Sequence, residues 1–121
     1  MIRFLDLKKI NHNYKHDLEK VFFNTIDAGW YINGKKCYNF EKEFAKYCGT
    51  KFCVGVANGL DALTLILAAY LEVGKLKKGD EILVPANTYI ASILAIINND
   101  LTPILIEPDT ESFNIDEISI I

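Results

Sequence analysis

From Asn11 to Ala28 the apolar positions Tyr14, Leu18, Val21, Phe22 and Ile26 recur three and four residues apart. That spacing predicts a helix with one buried face, closed by Gly29. The glycine-flanked stretch GWYINGKK reads as a loop carrying two large aromatic residues. Helical spacing returns from Tyr38 to Cys48 through Phe40, Phe44 and Tyr47, with Gly49 as the stop. Beyond residue 50 the texture changes. KFCVGVA, EILVPA and TPILIEP are short apolar runs rich in β-branched residues, separated by apolar stretches long enough for helices. The order over 51–121 is therefore strand, helix, strand, helix, strand, behind a helical lead over 1–50. Continuous rather than alternating apolar strands joined by helical crossovers imply an α/β fold with a mainly parallel sheet flanked by helices.

Composition narrows the function. The 121 residues suffice for one small domain, and a formal charge of −3 gives no electrostatic reason for a nucleic-acid or anionic-membrane partner. The start, MIRFLDLKK, has no apolar core of a leader, and the run Leu63 to Leu71 is far shorter than the about 20 residues that span a bilayer. The chain reads as cytoplasmic. Cys37, Cys48 and Cys53 are an odd count without a CxxC, so neither a disulfide framework nor a zinc site is indicated.

Two strand-to-helix connections carry the candidate chemistry. In GVANGLDA, residues 55 to 62, Asn58 suits an N-cap, Gly59 lets a ligand approach the backbone, and the first amides of the helix, at Leu60 and Asp61, face outward at the positive end of its dipole. A phosphate fits that description, and so does an ordinary cap in which Asn58 satisfies those amides. The stretch has neither the G-x-G-x-x-G nor the P-loop pattern. In PANTYIAS, residues 85 to 92, Tyr89 offers a flat face beyond the carboxyl end of a strand, where ligands of open α/β sheets bind, and the amides near Asn87 and Thr88 are available for polar contacts. Three other features each have a bland reading beside the chemical one. His12 and His16 stand four apart without a third ligand, Trp30 and Tyr31 are either a recognition surface or a plug, and Glu107 with Asp109 are either an acid-base pair or solvated acids at a strand end.

In order, the segments FLDLKKIN, DAGWYINGKKCYNFEKEFAKYCGTKFCVGVANGLDALTL, GDEILVPANTYIAS and PILIEPDTESFNID resemble the amino-terminal part of a DegT-type sugar aminotransferase. The resemblance implies the amino-terminal portion of a fold-type I, aspartate-aminotransferase-like large domain. It implies pyridoxal 5'-phosphate as cofactor, glutamate as amino donor, a nucleotide-linked 3-keto-6-deoxyhexose as substrate and a homodimeric parent. By the same resemblance Gly59, Leu60 and Asp61 hold the cofactor phosphate and Tyr89 stacks on its ring, while Trp30 and Tyr31 lie near the sugar. Many relatives carry Thr or Ser where Leu60 stands. The Schiff-base lysine and the aspartate that protonates the pyridine nitrogen are expected beyond residue 121, so the chain reads as a truncated part of the cofactor-binding domain, inactive alone. Lys51, Lys75, Lys77 and Lys78 sit in polar or strand-entry positions, with no apolar pocket to activate them. Two other readings fit the same residues: a free-standing phosphate-binding α/β module, and a dehydratase of the family with histidine for lysine.

Overall fold

The computed structural model describes residues 4–115. The chain divides into two compact units, Met1–Gly55 and Val56–Ile121.

The first unit is helical. Helices α1 (Leu7–His12), α2 (Lys15–Ala28) and α3 (Lys35–Cys48) follow one another. Asp6 caps α1 by accepting the Lys9 amide at 3.1 Å. Gly29 and Gly49 end α2 and α3 in the left-handed region, at φ 62° and 68°, a conformation that glycine enters without a Cβ penalty. The single helix expected from Asn11 is instead broken at Asn13 and Tyr14, whose amides bond three residues back, to Ile10 and Asn11. Helix α3 starts three residues earlier than its aromatic spacing implied, because Lys35, Lys36 and Cys37 add a turn without adding to the apolar stripe. The face of α2 expected to be buried is open: Leu18, Val21, Phe22 and Ile26 all stand exposed. On α3, Phe40 and Phe44 stack at 5.5 Å between ring centroids, and only Ala45 is buried.

The second unit is an α/β pair of layers: α4 (Gly59–Glu72), β1 (Glu81–Pro85), α5 (Ile90–Ile97) and β2 (Thr102–Ile106). Strands β1 and β2 pair in parallel, Glu81 opposite Thr102 through Pro85 opposite Ile106, as their β-branched runs led one to expect. The small core is Val84, Ile96 and Leu101, with Leu67, Leu71, Leu76, Ile82 and Ile93 against it. Through these contacts α4 lies on α5, and α5 covers the strands. Helix α4 is half-buried rather than buried: Leu67 and Leu71 turn to the core while Leu63, Leu65, Ile66 and Tyr70 are exposed. The expected first strand, KFCVGVA, forms no ladder among the described residues. A strand exists only with a partner, and β1 and β2 pair with each other.

Candidate functional site: a cleft between two helix amino ends

Both connections singled out above open onto one cleft of about 750 Å³, lined by Asn58, Gly59, Leu60, Ala62 and Leu63 from α4 and Tyr89, Ile90, Ala91 and Leu94 from α5. The chain brings them together because α4 packs on α5, so their amino ends open on the same side.

On the α4 side Asn58 is extended (φ −163°, ψ 178°), and its Oδ1 accepts the Asp61 amide at 2.9 Å. Its Nδ2 donates to Asp61 Oδ2 at 3.1 Å. The Ala62 amide bonds to the Asn58 carbonyl at 3.1 Å. That leaves the Gly59 and Leu60 amides without an acceptor among the described residues, at the positive end of a fourteen-residue helix. Of the two amides expected to face outward, Asp61's is taken by the cap and Leu60's has no acceptor among the described residues. Gly59 has no need of a positive φ, and a Cβ built on it meets nothing within 4 Å. Its lack of a side chain leaves open space at the cleft and relieves no strain.

On the α5 side Tyr89 is the N-cap residue, extended at φ −67° and ψ 141°, with no capping bond from its side chain and 78% of its surface exposed. The Thr88 amide, expected to be available, is spent on the Pro85 carbonyl at 3.1 Å, and the Thr88 hydroxyl lies 3.0 Å from that of Ser92. Asn87 Nδ2 donates to the Phe113 carbonyl at 3.2 Å, tying the loop to the segment after β2. No lysine lines the cleft. Lys78 Nζ pairs with Asp100 at 2.7 Å, and Lys75 lies over the Tyr70 ring.

Trp30 and Tyr31 belong to the other unit. Trp30 Nε1 donates to the Ile32 carbonyl at 2.7 Å and Tyr31 Oη to the Ile26 carbonyl at 3.3 Å, yet both rings are exposed. Trp30 lines a cleft of about 470 Å³ with Asn24, Thr25, Ala28, Lys35, Lys36 and Asn39. His12 ends α1 and His16 lies in α2, so they do not share one helical face, and no group of three or more metal-ligating side chains occurs among the described residues. Glu107 is exposed, whereas Asp109 accepts the amides of Ser112 at 2.7 Å and Glu111 at 3.2 Å. The Ser112 backbone and side chain foremost hold the Asp109 carboxyl below its ordinary value, as a turn-former rather than an acid-base group. No helix among the described residues is long and apolar enough to cross a membrane.

Residues 13–121 match the model of the DegT/DnrJ/EryC1/StrS aminotransferase family. The chain belongs to that family. It is 53% identical, over 99% of its length, to the dTDP-3-amino-3,6-dideoxy-alpha-D-galactopyranose transaminase of Aneurinibacillus thermoaerophilus. It is 38% identical over 97% of its length to the dTDP-3-amino-3,4,6-trideoxy-alpha-D-glucose transaminase of Streptomyces venezuelae. Among solved structures, DesV of S. venezuelae in complex with a ketimine intermediate superposes with a TM-score of 0.87 at 36% identity, over 98% of this chain and 31% of that one. GDP-4-keto-6-deoxymannose-3-dehydratase, ColD, matches with a TM-score of 0.79 at 31% identity, over 84% of this chain and 27% of its own. The fold is thus that of the amino-terminal part of a fold-type I large domain. The chain spans about a third of the length of the curated relatives it matches.

Proposed function

We propose that this chain supplies the phosphate- and ring-holding part of an enzyme that uses pyridoxal 5'-phosphate to transaminate a nucleotide-linked keto-deoxysugar, with glutamate as amino donor. The observation that carries the reading is the shared cleft. Two amides at a helix amino end have no acceptor among the described residues, a missing Cβ leaves space beside them, and an exposed tyrosine ring lines the same opening. A flat ring bearing a phosphate has those two requirements. The Gly59 and Leu60 amides hold the phosphate, helped by the α4 dipole. Tyr89 covers a face of the ring. When bound, the cofactor acts as an electron sink for carbanion chemistry.

The Schiff-base lysine of the family lies, on this reading, outside these residues, and the chain alone is inactive. Trp30 and Tyr31 contact the substrate. With the Trp30 N–H and the Tyr31 O–H spent within their own segment, what they offer is ring surface. The transaminase at 53% identity favours a dTDP-linked 3-keto sugar. The dehydratase matches sustain a second reading, in which the same cleft serves removal of a hydroxyl group. On this reading the enzyme works in the cytoplasm as a homodimer.

Titration of the gene-length polypeptide with pyridoxal 5'-phosphate tests the reading. Gly59→Val fills open space and leaves the melting temperature nearly unchanged, but weakens cofactor binding about tenfold by crowding the phosphate. Tyr89→Ala weakens it by about two- to tenfold, the worth of one aromatic contact. Binding that both variants leave untouched would place the cofactor elsewhere.

A further inference from the structure

Asn99 is the one buried polar side chain among the described residues, 9% exposed at the carboxyl end of α5. Burial of an amide is costly unless its hydrogen bonds are made, and Asn99 makes them in a particular way. From just past the helix end, its Nδ2 donates back to the Ala95 carbonyl of α5 at 2.8 Å and across to the Thr64 carbonyl of α4 at 3.1 Å. Among the described residues this is the only side-chain hydrogen bond that joins α4 to α5. Beside it, Leu67 and Leu71 of α4 and Ile93 of α5 pack against the same apolar cluster. Apolar contact holds surfaces together without fixing how far one slides along the other. A hydrogen bond requires a short distance and a good angle, so it does fix the register.

Thr64 lies six residues, about 9 Å of helix, beyond Asn58, and the amino ends of α4 and α5 are the two walls of the cleft. A slip of α4 along α5 therefore moves the Gly59 and Leu60 amides relative to the Tyr89 ring. We propose that Asn99 is a positioning residue for cofactor binding: it sets the separation between the phosphate-holding amides and the ring-covering tyrosine without touching either. The inference rests on the reading of the cleft given above.

Asn99→Leu keeps the branching and the number of heavy atoms, in a larger envelope, and removes both donors. Leu71→Ala loosens the same core without touching the bond and serves as the control for plain destabilisation. The measurements are the affinity of the gene-length polypeptide for pyridoxal 5'-phosphate, the melting temperature without cofactor, and amide exchange along 60–64. Both variants melt lower than the parent. Asn99→Leu alone weakens cofactor affinity, by about 3- to 10-fold, the equivalent of one net hydrogen bond, and alone speeds exchange along 60–64. If Asn99→Leu melts lower but binds as tightly as the parent, or if Leu71→Ala weakens binding as much, Asn99 is structural only and the proposal fails. If the parent's binding is insensitive to Gly59→Val and Tyr89→Ala, the reading of the cleft fails first and takes the proposal with it.

Discussion

Asn58 meets Asp61 twice, accepting its amide at 2.9 Å and donating to its carboxylate at 3.1 Å. The pair closes the first turn of α4 and decides which amides remain for a ligand. Asn58→Ala removes the cap and lowers stability to urea by about 1 kcal/mol. Asn58→Ser keeps an acceptor and falls between. The alanine variant also releases the Asp61 amide to stand with those of Gly59 and Leu60, so its cofactor affinity does not fall with its stability. A parallel loss of both would mean that Asn58 itself contacts the phosphate.

Among the described residues, one amide of the segment before α4 is held by a side chain. Glu41 Oε1 accepts the Gly55 amide at 2.7 Å, while Val54 and Val56 have no acceptor for their amides among the described residues. Hydrogen exchange followed by NMR is expected to show Gly55 slower than both neighbours, and Glu41→Ala to bring all three to one fast rate. Slow exchange at Val54 and Val56 in the parent would show that KFCVGVA has found a strand partner.

Glu41 also governs a thiol. Partial burial pushes the Cys37 thiol above its ordinary value of 9.0, and the adjacent Glu41 carboxylate, 3.7 Å from Sγ, pushes it further. Because the thiolate is the nucleophile, iodoacetamide at neutral pH modifies exposed Cys48 first and Cys37 slowly. The Cys37 rate keeps climbing past pH 9.0, and Glu41→Gln brings it forward. Mass mapping of the alkylated peptides at several pH values checks the order; equal rates for Cys37 in parent and variant would remove Glu41 as the cause.

Asp109 makes the turn after β2 sensitive to acid. Its carboxyl is held below the ordinary 3.8 by the Ser112 amide and hydroxyl and the Glu111 amide. A lowered folded value means that the stabilisation is complete above 3.8 and is lost only as pH falls through the lower value. The Ser112 amide shift, tracked against pH, is expected to titrate with a midpoint under 3.8 and to lose that transition in Asp109→Asn. A midpoint at or above 3.8 would contradict the bonding described.

What the sequence disclosed was local. Gly29 and Gly49 announce their helix ends because little else adopts a left-handed φ there, and EILVP and TPILI announce a parallel pair because both are unbroken apolar runs joined by a helix. The break at Asn13 is silent, since the apolar spacing carries on across it. The open stripe of α2 is silent for another reason: periodicity states which face could be covered, and coverage depends on a partner. At the cleft, Gly59, Leu60 and Tyr89 were legible as residue types in fitting positions. That the Asp61 and Thr88 amides are already engaged was not, because each depends on which of several acceptors wins a short turn. Asn99 left no signal at all, being one asparagine beside another in NND.

Pro103 lies in β2 opposite Ile82. Thr102 donates across to the Asp80 carbonyl, and in a parallel ladder alternate residues address the same neighbour, so residue 104 faces β1 and residues 103 and 105 face the other way. At 103 that outward position has no N–H to give. Along this margin Leu105 is the one donor within the strand, whereas the far margin of β1 keeps the N–H groups of Glu81 and Leu83 and loses only that of Pro85, at its end. The sheet thus has a direction of growth: a third strand can be recruited beside β1, and beside β2 the ladder is stopped by its own chemistry.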